Sequence, residues 1–531
     1  MTAPISAANS GARLYRIARG FVSCFHELIR SHPNLTATAI LLLAIATFSV
    51  SEWRRPMWED ELFTYYIAIQ PTAKEGIQAT LEGCDNAPPL YALIARPLLG
   101  VLPNPAFALR LPSILGCILM GACVFVISRR RVSPVYAIAA MLAVLFSSSA
   151  NGLDARPYGM TLGCASVALL AWQSAAEGRR RTLALPVLAL SLMSAIALQY
   201  YSVFLLVPLG CGELARWWKV RKIDFWVLAI LISCPLVLIP HRNLMQAGLK
   251  VTAYFWSRAS LPQAVATEWT FVWKTVTGLV VAFTANLIWN RLFRVSPNYL
   301  VRDWTPPRPP LHEICACVTL AALPVLIVSA AMFTTHTFVD RYAYPALIGL
   351  NLLLIVLLAR LNNENKMTGV CLVLAFIALF GAVYGRRAIQ PERLQKVEVV
   401  SVRRMLDSVP AEPVPIVVAQ RQAFIELWYY YPKLRSRLVF PLDLELERRH
   451  NNIDTEALIL SALRHRTSYR VPDYESFVRT TPAFLLCGFS TDWMKWEMLR
   501  SGLRLKPLLR SGYEASALEL YEVTREAVLD R

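Results

Sequence analysis

Residues 34–61 read NLTATAILLLAIATFSVSEWRRPMWEDE, and the fold is decided in this stretch. From 34 to 51 no charged side chain interrupts a run of apolar and small residues. Coiled as an α-helix, such a run rises about 27 Å, close to the ~30 Å hydrocarbon core of a bilayer. Trp58-Glu59-Asp60-Glu61 follows at once and sets three carboxylates just beyond the end of the span. Ionised groups are costly in hydrocarbon, and at its edge their pKa values depend strongly on neighbours. An acid cluster at this depth therefore points to chemistry or ion handling.

Outward from that stretch the pattern repeats. Of 531 residues 56% are hydrophobic and 17% charged, unlike a soluble globular domain. Apolar runs lie at about 34–51, 107–128, 133–150, 158–175, 182–198, 200–215, 224–240, 274–290, 313–333, 343–360 and 367–384. They predict a polytopic α-helical membrane protein with about eleven transmembrane helices. Short loops rich in Lys and Arg stay in the cytoplasm, and alternate loops here are basic. They hold Arg13, Arg16, Arg19 and Arg30, then Arg129, Arg130 and Arg131, then Arg179, Arg180 and Arg181. Arg216, Lys219, Arg221 and Lys222 follow, then Arg291, Arg294, Arg302 and Arg308, and last Arg360 and Lys366. The N-terminus is thus expected in the cytoplasm and the C-terminus outside. Much of the net charge of +18 sits in these loops, where it orients the chain and meets anionic lipid, so nucleic acid is not an expected partner. About thirty residues precede the first run and no small-residue cleavage site follows it, so it is expected to stay as a span and not be removed as a signal.

Most of the eleven cysteines, among them Cys117, Cys123, Cys164, Cys234, Cys315 and Cys371, lie within expected spans as small apolar residues. Only Cys84 and Cys487 fall in long outer segments. An oxidising compartment would permit a bridge between them, but no spacing pattern supports one. The seven histidines have no ligand spacing, so no metal site is legible and no cofactor is expected.

Three units are expected: a cytoplasmic segment 1–33, a transmembrane catalytic domain 34–384 and an extracytoplasmic α/β domain 385–531. The first outer loop, 52–106, carries helical stretches at 59–69 and 89–102. The second of these is apolar, short and interrupted by Pro97, which suits a helix lying in the interface. Beyond 385, short strands are expected at 414–420, 437–442, 483–489 and 517–523, with amphipathic stretches at 421–431, 453–465 and 491–500 between them. That order makes a small α/β domain, and without a glycine-rich phosphate loop it does not indicate nucleotide binding. A shorter outer segment, 241–274, carries Tyr254, Phe255, Trp256 and Trp269. Interfacial anchoring explains them, with contact to a lipid or sugar as the alternative.

Polar residues gather at the outer ends of the spans: Asp60 and Glu61, Asp85, Asp154 and Arg156 in GLDARPYGM, and Asp340 with Arg341 in FVDRYAYP. A base beside phosphate-binding cations suggests transfer from an anionic donor. Structural readings stay open at each position. Asp60 and Glu61 suit the first turn of a helix, Asp85 a turn, Arg156-Pro157 a helix start, and Arg341 a pair with Asp340 or a snorkelling span end. Arg110 is expected to be structural.

The order of motifs is an acid pair after the first span, Asp85-Asn86-Ala87-Pro88-Pro89-Leu90-Tyr91, then ALRLPS at 108–113, ARPY at 155–158 and RYAYP at 341–345. It resembles the GT-C glycosyltransferases, and most closely their bacterial branch related to lipid A aminoarabinose transferase and the protein O-mannosyltransferases. The likeness covers roughly residues 34–384. It implies a polyprenyl-phosphate sugar as donor, an extracytoplasmic acceptor that is glycan, lipid or protein, and inversion at the anomeric carbon. Asp60 matches the family's catalytic aspartate and Glu61 its companion. Arg156 and Arg341 would bind the donor phosphate, while Asp85, Asp154 and Tyr342 would contact sugar or acceptor, Asp154 alternatively orienting Arg156. One departure stands out. Where relatives carry His or Lys before Pro-Pro-Leu this chain has Ala87, and Arg96, further along the same expected helix, is the candidate replacement.

Two other functions fit a multi-span chain. A transporter or lipid flippase would use intramembrane charges, but no internal repeat is visible and the charges sit at span ends instead of the midplane. A surface-polysaccharide polymerase or ligase would share the donor. The N-x-[ST] sequon Asn34-Leu35-Thr36 falls on the side expected to be cytoplasmic, which is consistent with a bacterial inner membrane and chemistry in the periplasm.

Overall fold

The computed structural model describes residues 20–148, 152–249, 254–293, 307–390, 397–408, 414–511 and 517–525. Arg13, Arg16, Arg19, Arg294 and Arg302, part of the basic pattern above, lie outside them. Helical residues 20–31 lead into α1 (Pro33–Arg54), followed by α2 (Glu59–Ala68), α3 (Ala73–Leu81), α4 (Leu90–Val101), α5 (Pro105–Arg129), α6 (Pro134–Ser147), α7 (Tyr158–Ala176) and α8 (Arg181–Leu198). After them come α9 (Leu206–Val220), α10 (Phe225–Ser233), α11 (Arg242–Leu249), α12 (Leu261–Phe293), α13 (Leu311–Ala321), α14 (Leu323–Phe333), α15 (Ala346–Leu361) and α16 (Lys366–Ile389).

The expected apolar runs all fall on helix where they are described, but fewer than eleven qualify as crossings. Six helices are long and apolar enough among the described residues, or seven when α13 and α14, bent by 55° at their junction, count as one broken span. The reason is clear at α6, which is only 14 residues long. At 1.5 Å per residue it falls short of the hydrocarbon thickness. Every residue of 135–147 is buried, so its apolar character comes from lying in the centre of the bundle and not from facing lipid. The segment 241–274 also differs from expectation. Helix α11 follows α10 within one apolar stretch, Phe225–Leu249, and α12 already begins at Leu261, so Trp269 lies inside a candidate span.

Small residues set the closest crossing. A Cβ at Gly116 of α5 would stand 2.2 Å from the Gly159 carbonyl oxygen of α7, and one at Gly163 would meet the Gly116 carbonyl oxygen at 2.8 Å. Only glycine permits this approach. It pulls the short 152–157 turn against α5, which is what positions Asp154 and Arg156. At the other end of the bundle many loop arginines are paired: Arg131 with Glu313 and Glu177, and Arg181 and Arg216 with Asp224 at 2.5 and 2.6 Å.

Beyond α17 (Val397–Asp407) the chain builds a five-stranded sheet. Its strands are β1 (Ile416–Val418), β2 (Leu438–Val439), β3 (Ala483–Phe489), β4 (Leu503–Ser511) and β5 (Leu518–Arg525), in the order β2-β1-β3-β5-β4. Strands β2, β1 and β3 are parallel, joined by crossovers carrying α18 (Arg421–Tyr430), then α19 (Leu444–Asn451), α20 (Thr455–Leu463) and α21 (Tyr474–Thr480). Helix α22 (Trp493–Arg500) leads to the antiparallel pair β4 and β5. Cys84 and Cys487 are buried, unbridged thiols.

Candidate active site

The site begins at the turn after α1. Pro56 stops that helix's continuation, Trp58 is extended, and α2 opens with Glu59, Asp60 and Glu61 in its first turn, where the helix dipole favours acids. Successive side chains on a helix point about 100° apart, so the three carboxylates diverge. Glu61 turns inward and accepts the Trp58 N–H at 3.3 Å, while its own N–H donates to the Trp58 carbonyl at 3.0 Å. Asp60 turns the other way.

Glu61 belongs to a buried ion network. The Arg110 guanidinium of α5 forks onto it, Nε to Oε1 at 2.6 Å and Nη2 to Oε2 at 2.5 Å. Arg110 also donates to the carbonyls of Glu52 at 2.9 Å, Arg55 at 2.6 Å and Pro56 at 2.9 Å. Both side chains are fully buried. Arg55 donates to Glu52 at 2.6 Å, Glu61 at 3.1 Å and Asp154 at 2.7 Å. Burial alone would raise the Glu61 pKa, but Arg110 and Arg55 outweigh it and hold the carboxyl at about 2. Asp154 goes the opposite way. Burial pushes it up to about 7 despite Arg55, and repulsion from the Glu61 and Glu52 charges adds to the rise. The network clamps the turn that carries Asp60 to α5 and to the 152–157 turn.

A second cluster stands beside it and is more open. Asp60 Oδ2 lies 2.8 Å from Arg341 Nη2, with side chains 17% and 14% exposed. Arg341 sits in the 3-10 turn Asp340–Ala343, its guanidinium 5.5 Å from the ring centres of both Trp58 and Tyr158. Arg156 forks onto Asp85, Nη2 to Oδ1 at 3.1 Å and Nη1 to Oδ2, and Nη1 also donates to the Asp60 carbonyl at 3.1 Å. The charges around it hold the Arg156 guanidinium well above its ordinary pKa against the effect of burial, and the same balance acts on Arg341. Three polar atoms here are buried without a hydrogen-bond partner: Arg156 Nε, Arg341 Nε and Asp60 Oδ2, the last ion-paired but not aligned for a bond. Orphan groups of this kind mark strain or a missing ligand.

The structure thus brings Asp60, Arg341, Arg156 and Asp85 together. It puts Glu61 and Asp154 in the buried network, and the carboxylate that orients Arg156 is Asp85, not Asp154. Tyr342 stacks on Tyr201, ring centres 4.6 Å apart and 14° from parallel. Arg96 is turned away. It caps the end of α2, donating to the carbonyls of Ala68 at 3.0 Å, Pro71 at 2.6 Å and Gln70. Sequence reasoning passed over Arg55 and Glu52, although an acid at the end of an apolar run was a usable signal. It also passed over Lys274, which donates to the Ser147 carbonyl at 3.2 Å. Among the described residues no three His, Cys, Asp or Glu side chains converge as metal ligands would.

No family model matches the chain, and no curated protein sequence matches it. Solved structures do. ArnT from Cupriavidus metallidurans bound to undecaprenyl phosphate superposes with a TM-score of 0.53 over 91% of this chain and 97% of its own, at 12% identity. The apo state of ArnT gives 0.52 over 92% and 98%, at 11% identity. The arabinosyltransferase EmbB from Mycobacterium smegmatis matches with a TM-score of 0.37, covering 90% of this chain and 45% of EmbB, at 13% identity. The chain has the fold of ArnT.

Proposed function

We propose that the protein is an integral-membrane glycosyltransferase that moves a sugar from a polyprenyl-phosphate donor to an extracytoplasmic acceptor, with Asp60 as general base. The observation that carries this is the pair of guanidiniums on Asp60, Arg341 and Arg156, each keeping its Nε–H without a partner. Two such donors suit the oxygens of a phosphate. The fold shared with ArnT, a structure solved with undecaprenyl phosphate, supports a polyprenyl phosphate as the donor's carrier.

In the reaction, Asp60 takes the proton of an acceptor hydroxyl as its oxygen bonds to the anomeric carbon. The bond from that carbon to the phosphate oxygen breaks on the opposite face, which inverts the configuration. Polyprenyl phosphate leaves as an anion held by Arg156 and Arg341, so no general acid is needed. The phosphate would compete with Asp60 for Arg341, freeing the carboxylate to act as base only when donor is bound. Asp85 positions Arg156, while Glu61, Asp154 and Arg110 hold the turn. Tyr342 lines the approach for sugar or acceptor. Arg96 has a structural role, leaving the cation at Ala87 unreplaced by it. The site end of the bundle faces the periplasm in a bacterial inner membrane.

Asp60→Asn tests the reading. Transfer should fall about 10²- to 10⁴-fold, the usual worth of a general base, while the protein still inserts and melts normally. Full activity in that variant would sink it.

A further inference from the structure

Lys274 stands at the middle of Leu261–Ile288 and is the one cation in the sequence of that candidate span. Cations at such depth are costly and are kept where they act. The transfer step above does not use it. Its Nζ donates to the Ser147 carbonyl at 3.2 Å, at the last residue of α6, where the helix dipole turns its negative end. The Asp340 charge attracts it and the Arg387 charge repels it. Around that contact runs a chain of hydrogen bonds. Asn351 of α15 donates to Ser147 Oγ at 3.0 Å and to the Leu347 carbonyl at 2.8 Å, while its Oδ1 accepts from Thr275, the neighbour of Lys274, at 3.0 Å. Ser147, Thr275 and Asn351 are wholly buried. A buried polar network with its partners in place holds the elements it joins, here α6, α12 and α15, in one register.

Each of the three leads into the site. Beyond α6 the Gly152 N–H donates to the Ser148 carbonyl at 3.2 Å, at the head of the turn that carries Asp154 and Arg156. Helix α15 continues from the turn that carries Arg341, with the Leu347 N–H on the Tyr344 carbonyl at 3.0 Å. One turn before Lys274, Phe271 meets the Tyr344 ring at 5.7 Å; Tyr344 meets Tyr158 at 6.0 Å, and Tyr158 underlies the Arg341 guanidinium. The Arg156 and Arg341 charges repel. With no phosphate between them, their spacing must come from Asp60 and from the scaffold behind the two turns. We infer that Lys274 is a positioning residue for the proposed centre: it ties the end of α6 to α12 and so fixes, through Asn351 and α15, where Arg156 stands relative to Arg341. This rests on the transferase reading above and adds to it a residue that acts on the chemistry without touching the reacting atoms.

The test uses the full chain in nanodiscs with polyprenyl-phosphate sugars and envelope glycolipid extracted from the source membranes, and reads released polyprenyl phosphate. Lys274→Met keeps nearly the length of the side chain and removes a cation from the membrane, so the variant should insert and melt as the wild type does. Its kcat should fall about 10- to 100-fold, the effect of displacing aligned groups by up to about 1 Å. The loss should run through Arg341: made in an Arg341→Lys background, the same change should cost about twofold or less. Asn351→Leu, which cuts the tie from the α15 side, should lower kcat in the same direction and add little to Lys274→Met. Unchanged kcat in both variants, losses that multiply in the Arg341→Lys background, or a drop that only follows the amount of folded protein would overturn the inference and leave the transferase reading standing. Absence of any polyprenyl phosphate release by the wild type would overturn that reading itself.

Discussion

Replacing Arg110 with Met removes a charge of similar volume from the centre of the buried network, and its cost can be worked from the contacts. Glu61 would keep Arg55 and the Ala155 and Trp58 N–H groups but lose its fork, and breaking a buried pair from one side costs about 3–5 kcal/mol. Three carbonyls, those of Glu52, Arg55 and Pro56, lose a donor as well. A second route gives a similar figure. Lowering the Glu61 pKa from 4.5 to about 2 is worth about 3 kcal/mol at 1.36 kcal/mol per unit. Because the folded pKa is depressed, that stabilisation is present above the unfolded value of 4.5 and disappears as pH falls toward about 2. The assay is thermal unfolding in detergent across pH. Arg110→Met should lower Tm by roughly 3–5 °C at neutral pH, with the deficit shrinking in acid. Adding Glu61→Gln should restore part of it, since the two share one interaction. A Tm within about 1 °C of wild type at neutral pH, or a deficit equally large in acid, would refute the reasoning.

Three further outcomes follow from the same contacts. Arg156→Lys keeps the charge but loses the fork on Asp85, so kcat should fall about 10- to 100-fold, and Asp85→Asn should add little to it; steady-state kinetics of the single and double variants decide. Asp154→Asn should gain stability relative to wild type as pH rises from 3.8 to about 7, because a raised acid is most favourable when protonated and loses that advantage on ionising; melting curves across that window measure it. Gly116→Ala places a Cβ 2.2 Å from the Gly159 carbonyl oxygen, and overpacking of this severity should cost about 3 kcal/mol or more and reduce folded yield, which size-exclusion chromatography would report.

Sequence and structure agree where the signal is local and repeated. Apolar runs became helices because hydrocarbon and bundle interior select the same residues, and for that reason α6, buried all round, was indistinguishable from a span. Strand β4 was missed because it is an exposed edge carrying Arg504, Lys506 and Pro507, with none of the apolar alternation that marks a half-buried strand. Within the site, the acids and arginines themselves were legible, but not their pairing. Nothing in the local pattern of Trp58-Glu59-Asp60-Glu61 says that Glu61 will meet Arg110 and Asp60 will meet Arg341, because those choices depend on which face of a helix meets which distant turn. The glycine crossing of α5 and α7 decides that Arg156 finds Asp85, and it too is a long-range fact.

Asp60 and Arg341 come from opposite ends of the membrane-embedded chain, one after the first helix and the other just before α15. A nascent chain therefore carries its proposed base long before the guanidinium that faces it has been synthesised. Until the last helices are inserted, the two halves of the centre do not exist together. A product truncated before Arg341 would carry the acid of the proposed centre without the guanidinium that faces it.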